Sequence, residues 1–119
     1  MAKKMLIFCG SDDPERAFPP FMLGSGALAN EMELTLFFTM SGLNIIRKGG
    51  AEKITLEGAP KPLPEFIETV KALGAKLIAC SAAFPIAKVT EQELIDGVEM
   101  GGVATFVIAA EEAEVVMTF

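Results

Sequence analysis

Two cysteines are the residues of this chain best suited to covalent chemistry. The 119 residues include Cys9 and Cys80 but no histidine, which excludes Ser-His-Asp and Cys-His mechanisms. Two cysteines far apart in the sequence, without histidine, cannot complete a tetrahedral zinc site within one chain. Proton transfer must then come from Asp, Glu, Lys or the thiols themselves. We therefore expect thiol chemistry, with no metal ion and no cofactor.

Each cysteine ends a short apolar segment, "KMLIFC" (4–9) or "KLIAC" (76–80). Such segments are typical of strands that are buried on both faces of a parallel sheet. The carboxyl ends of all strands then lie on one edge of the sheet, and ligands bind outside that edge. The sequence therefore places both thiols where a ligand is expected.

Strands alternate with helices, which predicts an α/β fold: an open parallel sheet of about five strands with helices on both faces. The predicted strands are "KMLIFCG", "ELTLFFTM", "EKITLE", "KLIAC" and "EVVMTF". The predicted helices are residues 21–30, 41–48, 63–73 and 103–110, and a short helix with Leu94, Ile95 and Val98 that follows a capping box at residues 90–93. The β-branched residues of segment 103–110 leave a strand open there.

Cys80 could be a nucleophile or a packing residue. The N–H groups of a helix or turn after it would stabilise its thiolate. The small residues at positions 81–83 would leave its sulfur accessible. A buried cysteine that acts as a small hydrophobic residue explains the same pattern.

Cys9 is the weaker candidate of the two. The carboxylates of Asp12 and Asp13, shortly after it, would raise the pKa of its thiol. Because neighbouring strands lie about 4.8 Å apart, Cys9 could pair with Cys80 if their strands are adjacent. A two-cysteine relay or a reversible disulfide therefore stays open.

Charge and length exclude other classes of partner. A formal net charge of −6 leaves no basic stripe for a nucleic-acid backbone. The apolar segments are too short for a signal-peptide core or a membrane-spanning helix. We therefore expect a cytoplasmic protein with no stable membrane insertion, folded as one domain over residues 1–119.

Three separated motifs, in order, resemble the DsrE/DsrF-like sulfurtransferase superfamily, and most closely its branch that is often called peroxiredoxin-like. They are "FFTMSGLNIIRKGG" (37–50), "LIACSAAF" (77–84) and "ELIDGVEMGGVATFV" (93–107). The resemblance spans essentially the whole chain. It implies a flavodoxin-like sheet and a homo-oligomer, which we expect to be a trimer, tetramer or hexamer.

The resemblance also implies a cysteine that carries sulfur as a persulfide or thiosulfonate, in a relay with TusA-like or rhodanese-like carriers. Only Cys80 matches the position of that cysteine. We predict intracellular sulfur trafficking in which Cys80 accepts sulfane sulfur and passes it to a carrier thiol. The predicted substrate or partner pocket contains Ser11, Ser41, Asn44 and Ser81.

Two alternatives to this function stay open. The chain could be a non-catalytic assembly or regulatory subunit whose cysteines only pack. It could also be a redox switch in which Cys9 and Cys80 form a reversible disulfide. Whether an active protein would turn over as a sulfurtransferase or carry sulfur stoichiometrically also stays open.

Overall fold

In the computed structural model, which describes residues 2–119, five strands form one parallel sheet. The strands are β1 (Lys4–Cys9), β2 (Glu33–Phe38), β3 (Lys76–Cys80), β4 (Val98–Gly101) and β5 (Val115–Thr118). The α-helices are α1 (Pro14–Ala17), α2 (Pro19–Ala29), α3 (Leu63–Ala72), α4 (Phe84–Ala87) and α5 (Val103–Glu112). Short 3₁₀ helices cover Met40–Ile45, Ala51–Lys53, Ser81–Ala83 and Glu91–Glu93.

The strand order is β4-β3-β2-β1-β5. The chain therefore steps in one direction from β1 to β4 and then returns across the sheet to place β5 beside β1. Right-handed crossovers put the connections of the outward steps and of the return on opposite faces. The predicted five-stranded parallel α/β architecture is confirmed, although flavodoxin has its second strand, not its last, at the edge beside β1.

The two faces of the sheet are named here after the helix that packs on each. On the α2 face, Phe21 of α2 stacks on Phe38 of β2. On the α5 face, the ring of Phe106 of α5 contacts the rings of Phe8 and Phe37. The alternation of side chains along each strand assigns the remaining residues to one face or the other.

Helix bounds follow from local sequence. Pro19 and Pro20 occupy the first turn of α2, where a missing N–H costs no intrahelical hydrogen bond. Pro64 does the same for α3. Gly74, which follows the C-cap of α3, has a φ of +95°, a left-handed conformation that glycine adopts readily. The first and third predicted helices are thereby confirmed to within about two residues at each end.

Two predicted elements are wrong, and a third is helical over only part of its predicted length. Segment 52–57 is no strand, because Ile54 and Leu56 pack against the core instead of pairing with the sheet. Val98 begins strand β4 rather than ending a helix, since Gly97 with a φ of +87° reverses the chain before it. Segment 41–48 is helical only as the 3₁₀ turns Met40–Ile45.

Candidate functional site

Cys80 is the last residue of β3 and lies on the α5 face at the carboxyl edge of the sheet. The register pairs Phe37, which contacts α5, with Ile78, and Cys80 follows two residues later on the same face. Its neighbour on β4 is Gly101, which has no side chain. On the other side lies Thr39, directly after β2. The place of a side chain at Gly101 is taken by Ile78 and Thr105, so the open side of the thiol is the one that faces the cavity described next.

A cavity of about 310 Å³ opens at Cys80. Phe8, Phe37 and Phe106 form its aromatic wall on the α5 face. Its other lining residues are Thr39, Met40, Ala82, Ala83, Ile86 and Val103. Thr39 contributes the only hydroxyl of this lining, so the thiol faces an almost wholly apolar space.

The rim of the cavity is exposed although the thiol is not. Cys80 is 4% exposed, whereas Met40, Ile86 and Val103 are 45%, 65% and 69% exposed. Met40 also has a φ of +51°, a left-handed conformation that is uncommon for a residue other than glycine. Backbone conformations of this kind cluster at functional sites, and here one directly follows Thr39 at the thiol.

Cys9 faces away from this cavity. The register pairs Cys9 with Phe38 and Phe38 with Ala79, so Cys9 lies on the α2 face and Cys80 on the α5 face. Its Sγ lies 3.9 Å from the carbonyl oxygen of Ile7, and burial raises the pKa of its thiol. The environment of Cys9 is therefore that of a packed, protonated thiol.

The structure does not bring the two thiols together. Strand β2 lies between β1 and β3, which separates the two backbones by roughly 9–10 Å. Cysteines at that separation, with side chains pointing apart, cannot be bridged without movement of the backbone. The Cys9–Cys80 disulfide, left open as an alternative that requires adjacent strands, is therefore not compatible with this fold within one chain.

The four residues of the predicted pocket lie at the same edge of the sheet but outside the lining of the Cys80 cavity. Ser81 directly follows Cys80 in the chain. Its hydroxyl donates to the carbonyl oxygen of Gly101 at 3.1 Å, which connects the turn after Cys80 to β4. Ser11 accepts from the backbone N–H of Asp13 at 3.1 Å. Ser41 is exposed.

Asn44 belongs to a polar network around Arg47. The Asn44 amide donates to Asp12 at 2.9 Å and accepts from the Arg47 guanidinium at 3.1 Å. Arg47 also donates to the carbonyl oxygen of Lys88 at 2.6 Å and pairs with Glu93 at 3.3 Å. This network links the loops that follow β1, β2 and β3, and Asp12, Asn44 and Arg47 also line a separate cavity of about 470 Å³.

Sequence reasoning missed the residues that form the cavity itself. Thr39 and Met40 lie within the quoted motif 37–50 but were not singled out, and Phe106 and Val103 were treated only as helix residues. The strand alignment was the missing signal, because it alone shows which residues after β2 and β4 lie beside Cys80.

Within residues 2–119, no group of three or more His, Cys, Asp or Glu side chains is arranged to hold a metal ion. In the same range, no helix is both long enough and apolar enough to cross a bilayer.

The fold is thus a five-stranded parallel α/β sheet with Cys80 beside a cavity at its carboxyl edge. The model of the DsrE/DsrF-like family matches residues 2–119. The chain belongs to this family.

Two relatives differ in how much of the chain they cover. The uncharacterized protein YrkE of Bacillus subtilis is 28% identical, over 95% of this chain and 94% of that protein. The sulfur carrier protein DsrE2 of Allochromatium vinosum is 36% identical over 63 residues, which are 52% of this chain and 40% of that protein. The similarity to the named sulfur carrier is thus partial.

Among solved structures, the chain is similar to MTH1491 of Methanobacterium thermoautotrophicum, a protein of unknown function. The TM-score is 0.78 at 15% identity, over 98% of this chain and 99% of that chain. This likeness supports the fold alone.

Proposed function

We propose that this protein accepts sulfane sulfur on Cys80, as a persulfide or thiosulfonate, and passes it to the thiol of a carrier protein. The observation that carries the proposal is the different placement of the two cysteines. Cys80 faces a cavity at the ligand-binding edge of the sheet, whereas Cys9 is packed on the opposite face. Membership of the DsrE/DsrF-like family and partial similarity to a sulfur carrier support it.

The chemistry is thiol–disulfide exchange at one sulfur atom. The Cys80 thiolate attacks a sulfur–sulfur bond of the donor, and the donor thiolate leaves with the electron pair. The acceptor thiolate then attacks the sulfur held on Cys80 and restores the Cys80 thiolate. The exposed apolar rim formed by Met40, Ile86 and Val103 is where a TusA-like or rhodanese-like acceptor would have to approach.

The test is intact-mass measurement of the reduced protein after incubation with polysulfide and, separately, with tetrathionate. Wild type, Cys80→Ser and Cys9→Ser are compared. We expect sulfur or thiosulfate additions on wild type and on Cys9→Ser, and none on Cys80→Ser. If folded wild type takes up neither species while the unfolded chain reacts with both, Cys80 is a packing residue and the proposal fails.

A non-catalytic assembly role is a second candidate, because one observation favours it. Val103, Val107 and Ile108 of α5 are exposed apolar residues, as expected of a surface that is covered by another protein chain. The same experiment separates the two candidates, since an assembly subunit needs no reactive thiol.

A further inference from the structure

The Cys80 cavity offers a sulfur donor an apolar surface and no charge. Of its ten lining residues, eight are apolar and the other two are Thr39 and Cys80. Arg47 lies outside this lining, and its two terminal guanidinium nitrogens contact Asn44, the carbonyl oxygen of Lys88 and Glu93. A donor that enters this cavity therefore meets no cation from the described lining.

An anionic donor would lose its hydration there without compensation. The sulfonate group of a thiosulfonate or of tetrathionate is strongly hydrated, and burying an unpaired charge is unfavourable. The formal net charge of −6 adds a long-range repulsion for anions. An uncharged donor meets neither penalty.

We infer that the donor at Cys80 is an uncharged sulfane, either cyclic elemental sulfur or an organic polysulfane, in preference to an anionic thiosulfonate. This inference rests on the proposed function. The Met40 thioether and the rings of Phe8, Phe37 and Phe106 are polarizable groups, which make favourable contacts with sulfur. The cavity of about 310 Å³ lies at the small end of the range for ligand pockets, which suits a compact donor.

The reaction with such a donor is balanced without an oxidant or a co-reactant. The Cys80 thiol first loses its proton to solvent, and its thiolate then attacks one sulfur of the sulfane. A new bond forms between Sγ and that sulfur while the adjacent sulfur–sulfur bond breaks. The released sulfur carries the electron pair and the negative charge, and it leaves through the open rim or, in a ring, stays attached as the chain end.

The experiment compares dimethyl trisulfide with tetrathionate as probes, in the Cys9→Ser background, by intact mass over time. Each rate of Cys80 modification is divided by the rate of free glutathione with the same reagent, which removes the intrinsic reactivity of the probe. We expect the normalised rate to favour dimethyl trisulfide by roughly tenfold or more, because only tetrathionate must be desolvated as an anion.

A positive charge placed at the rim tests whether the lack of a cation in the lining causes the preference for an uncharged donor. Ile86→Lys is expected to raise the ratio of the tetrathionate rate to the dimethyl trisulfide rate by roughly fivefold at low salt, as for an exposed ion pair, and less at high salt. Leu73→Lys is the matched control, because Leu73 is similarly exposed (59% against 65%) but follows α3, outside the cavity lining. The control should leave the ratio unchanged.

Two results would overturn the inference, and they differ in what else they imply. If tetrathionate matches or exceeds dimethyl trisulfide after normalisation, and Ile86→Lys has no effect on the ratio, the donor preference is wrong while sulfur transfer at Cys80 stands. If neither probe modifies the folded protein but both modify the unfolded chain, the proposed function itself fails.

Discussion

At the scale of single residues, the segment after β2 needs a glycine at position 42, because the backbone at the end of β1 lies against it. A Cβ at this position would overlap the carbonyl oxygen of Cys9 and would lie 3.3 Å from the Cα of Gly10. The 3₁₀ helix Met40–Ile45 thus lies directly against the end of β1. Only a residue without a side chain permits this close approach of the two backbone segments.

We expect Gly42→Ala to destabilise the protein by about 2–3 kcal/mol, because backbone atoms must move to make room. Gly26→Ala in α2 is the matched control, since a Cβ there meets nothing within 4 Å. The free energy of unfolding of the control should rise by up to about 1 kcal/mol, because alanine has a higher helix propensity than glycine. Urea unfolding curves with equal slopes would measure both changes. Equal effects of the two substitutions would contradict the close packing at Gly42.

The two cysteine side chains lie on opposite faces of the sheet, a property that could not be predicted from the residues alone. The sequence places Cys9 and Cys80 correctly at the ends of strands on the same edge. It cannot show that they point to opposite faces, because facing depends on how the strands align. A shift of one residue in alignment exchanges the two faces. That alignment pairs Phe38 with Ala79 rather than with Cys80, and it arises from packing of the whole sheet.

At the scale of elements, an ion pair joins the segments that follow β2 and β3. Arg47 pairs with Glu93, whose carboxylate also accepts from the backbone N–H of Thr90 at 2.9 Å. The hydrogen bonds from Thr90, followed by the charge of Arg47, lower the pKa of Glu93. Backbone hydrogen bonds from Ile95 to Ile46 and from Lys48 to Glu93 connect the same segments, so loss of the carboxylate should leave the connection in place.

Because the pKa of Glu93 is lower in the folded state, its ionised form stabilises folding above the unfolded-state pKa of about 4.3. That contribution is lost as the pH falls through the lower, folded-state pKa. We therefore expect Glu93→Gln to be less stable than wild type at pH 7 and equal to it in strong acid. Unfolding free energies measured from pH 7 to pH 3 test this. A difference between the two proteins that stays constant over this pH range would contradict the prediction.

Elements with a clear apolar pattern were predictable from sequence, and elements without one were not. The apolar periodicity of α3 and the apolar runs of β1, β2 and β3 were sufficient to identify them. Strand β4 has four residues, one of them a glutamate and one a glycine, so it carries no strand pattern. Segment 52–57 carries such a pattern without being a strand, because its apolar side chains fill a gap in the core.

At the scale of the whole molecule, one helix alone spans the α5 face of the sheet. All ten residues of α5 are exposed or half-buried, and the outward side chains of Val103, Val107 and Ile108 are apolar. An exposed apolar helix surface on an acidic chain is typical of a protein that self-associates. We propose this surface as the contact of the predicted homo-oligomer.

We expect Val107→Glu to lower the mass measured by light scattering, because a buried like-charge pair would form across a symmetric contact. Met22→Glu in α2, which packs on the opposite face of the sheet, should leave the mass unchanged. A monomeric mass for wild type at working concentration would contradict the predicted homo-oligomer. An unchanged mass for Val107→Glu would mean that the contact between protomers does not involve this surface of α5.

The position of β5 beside β1 also has a consequence for biosynthesis. Strand β1 is the first strand to leave the ribosome, yet its partner along one edge is the last of the five to be made. Until residues 115–118 emerge, that edge presents unpaired backbone groups and can pair with another nascent chain. The strand order thus leaves one side of β1 unpaired until the last of the five strands is made, when a chaperone is of greatest use.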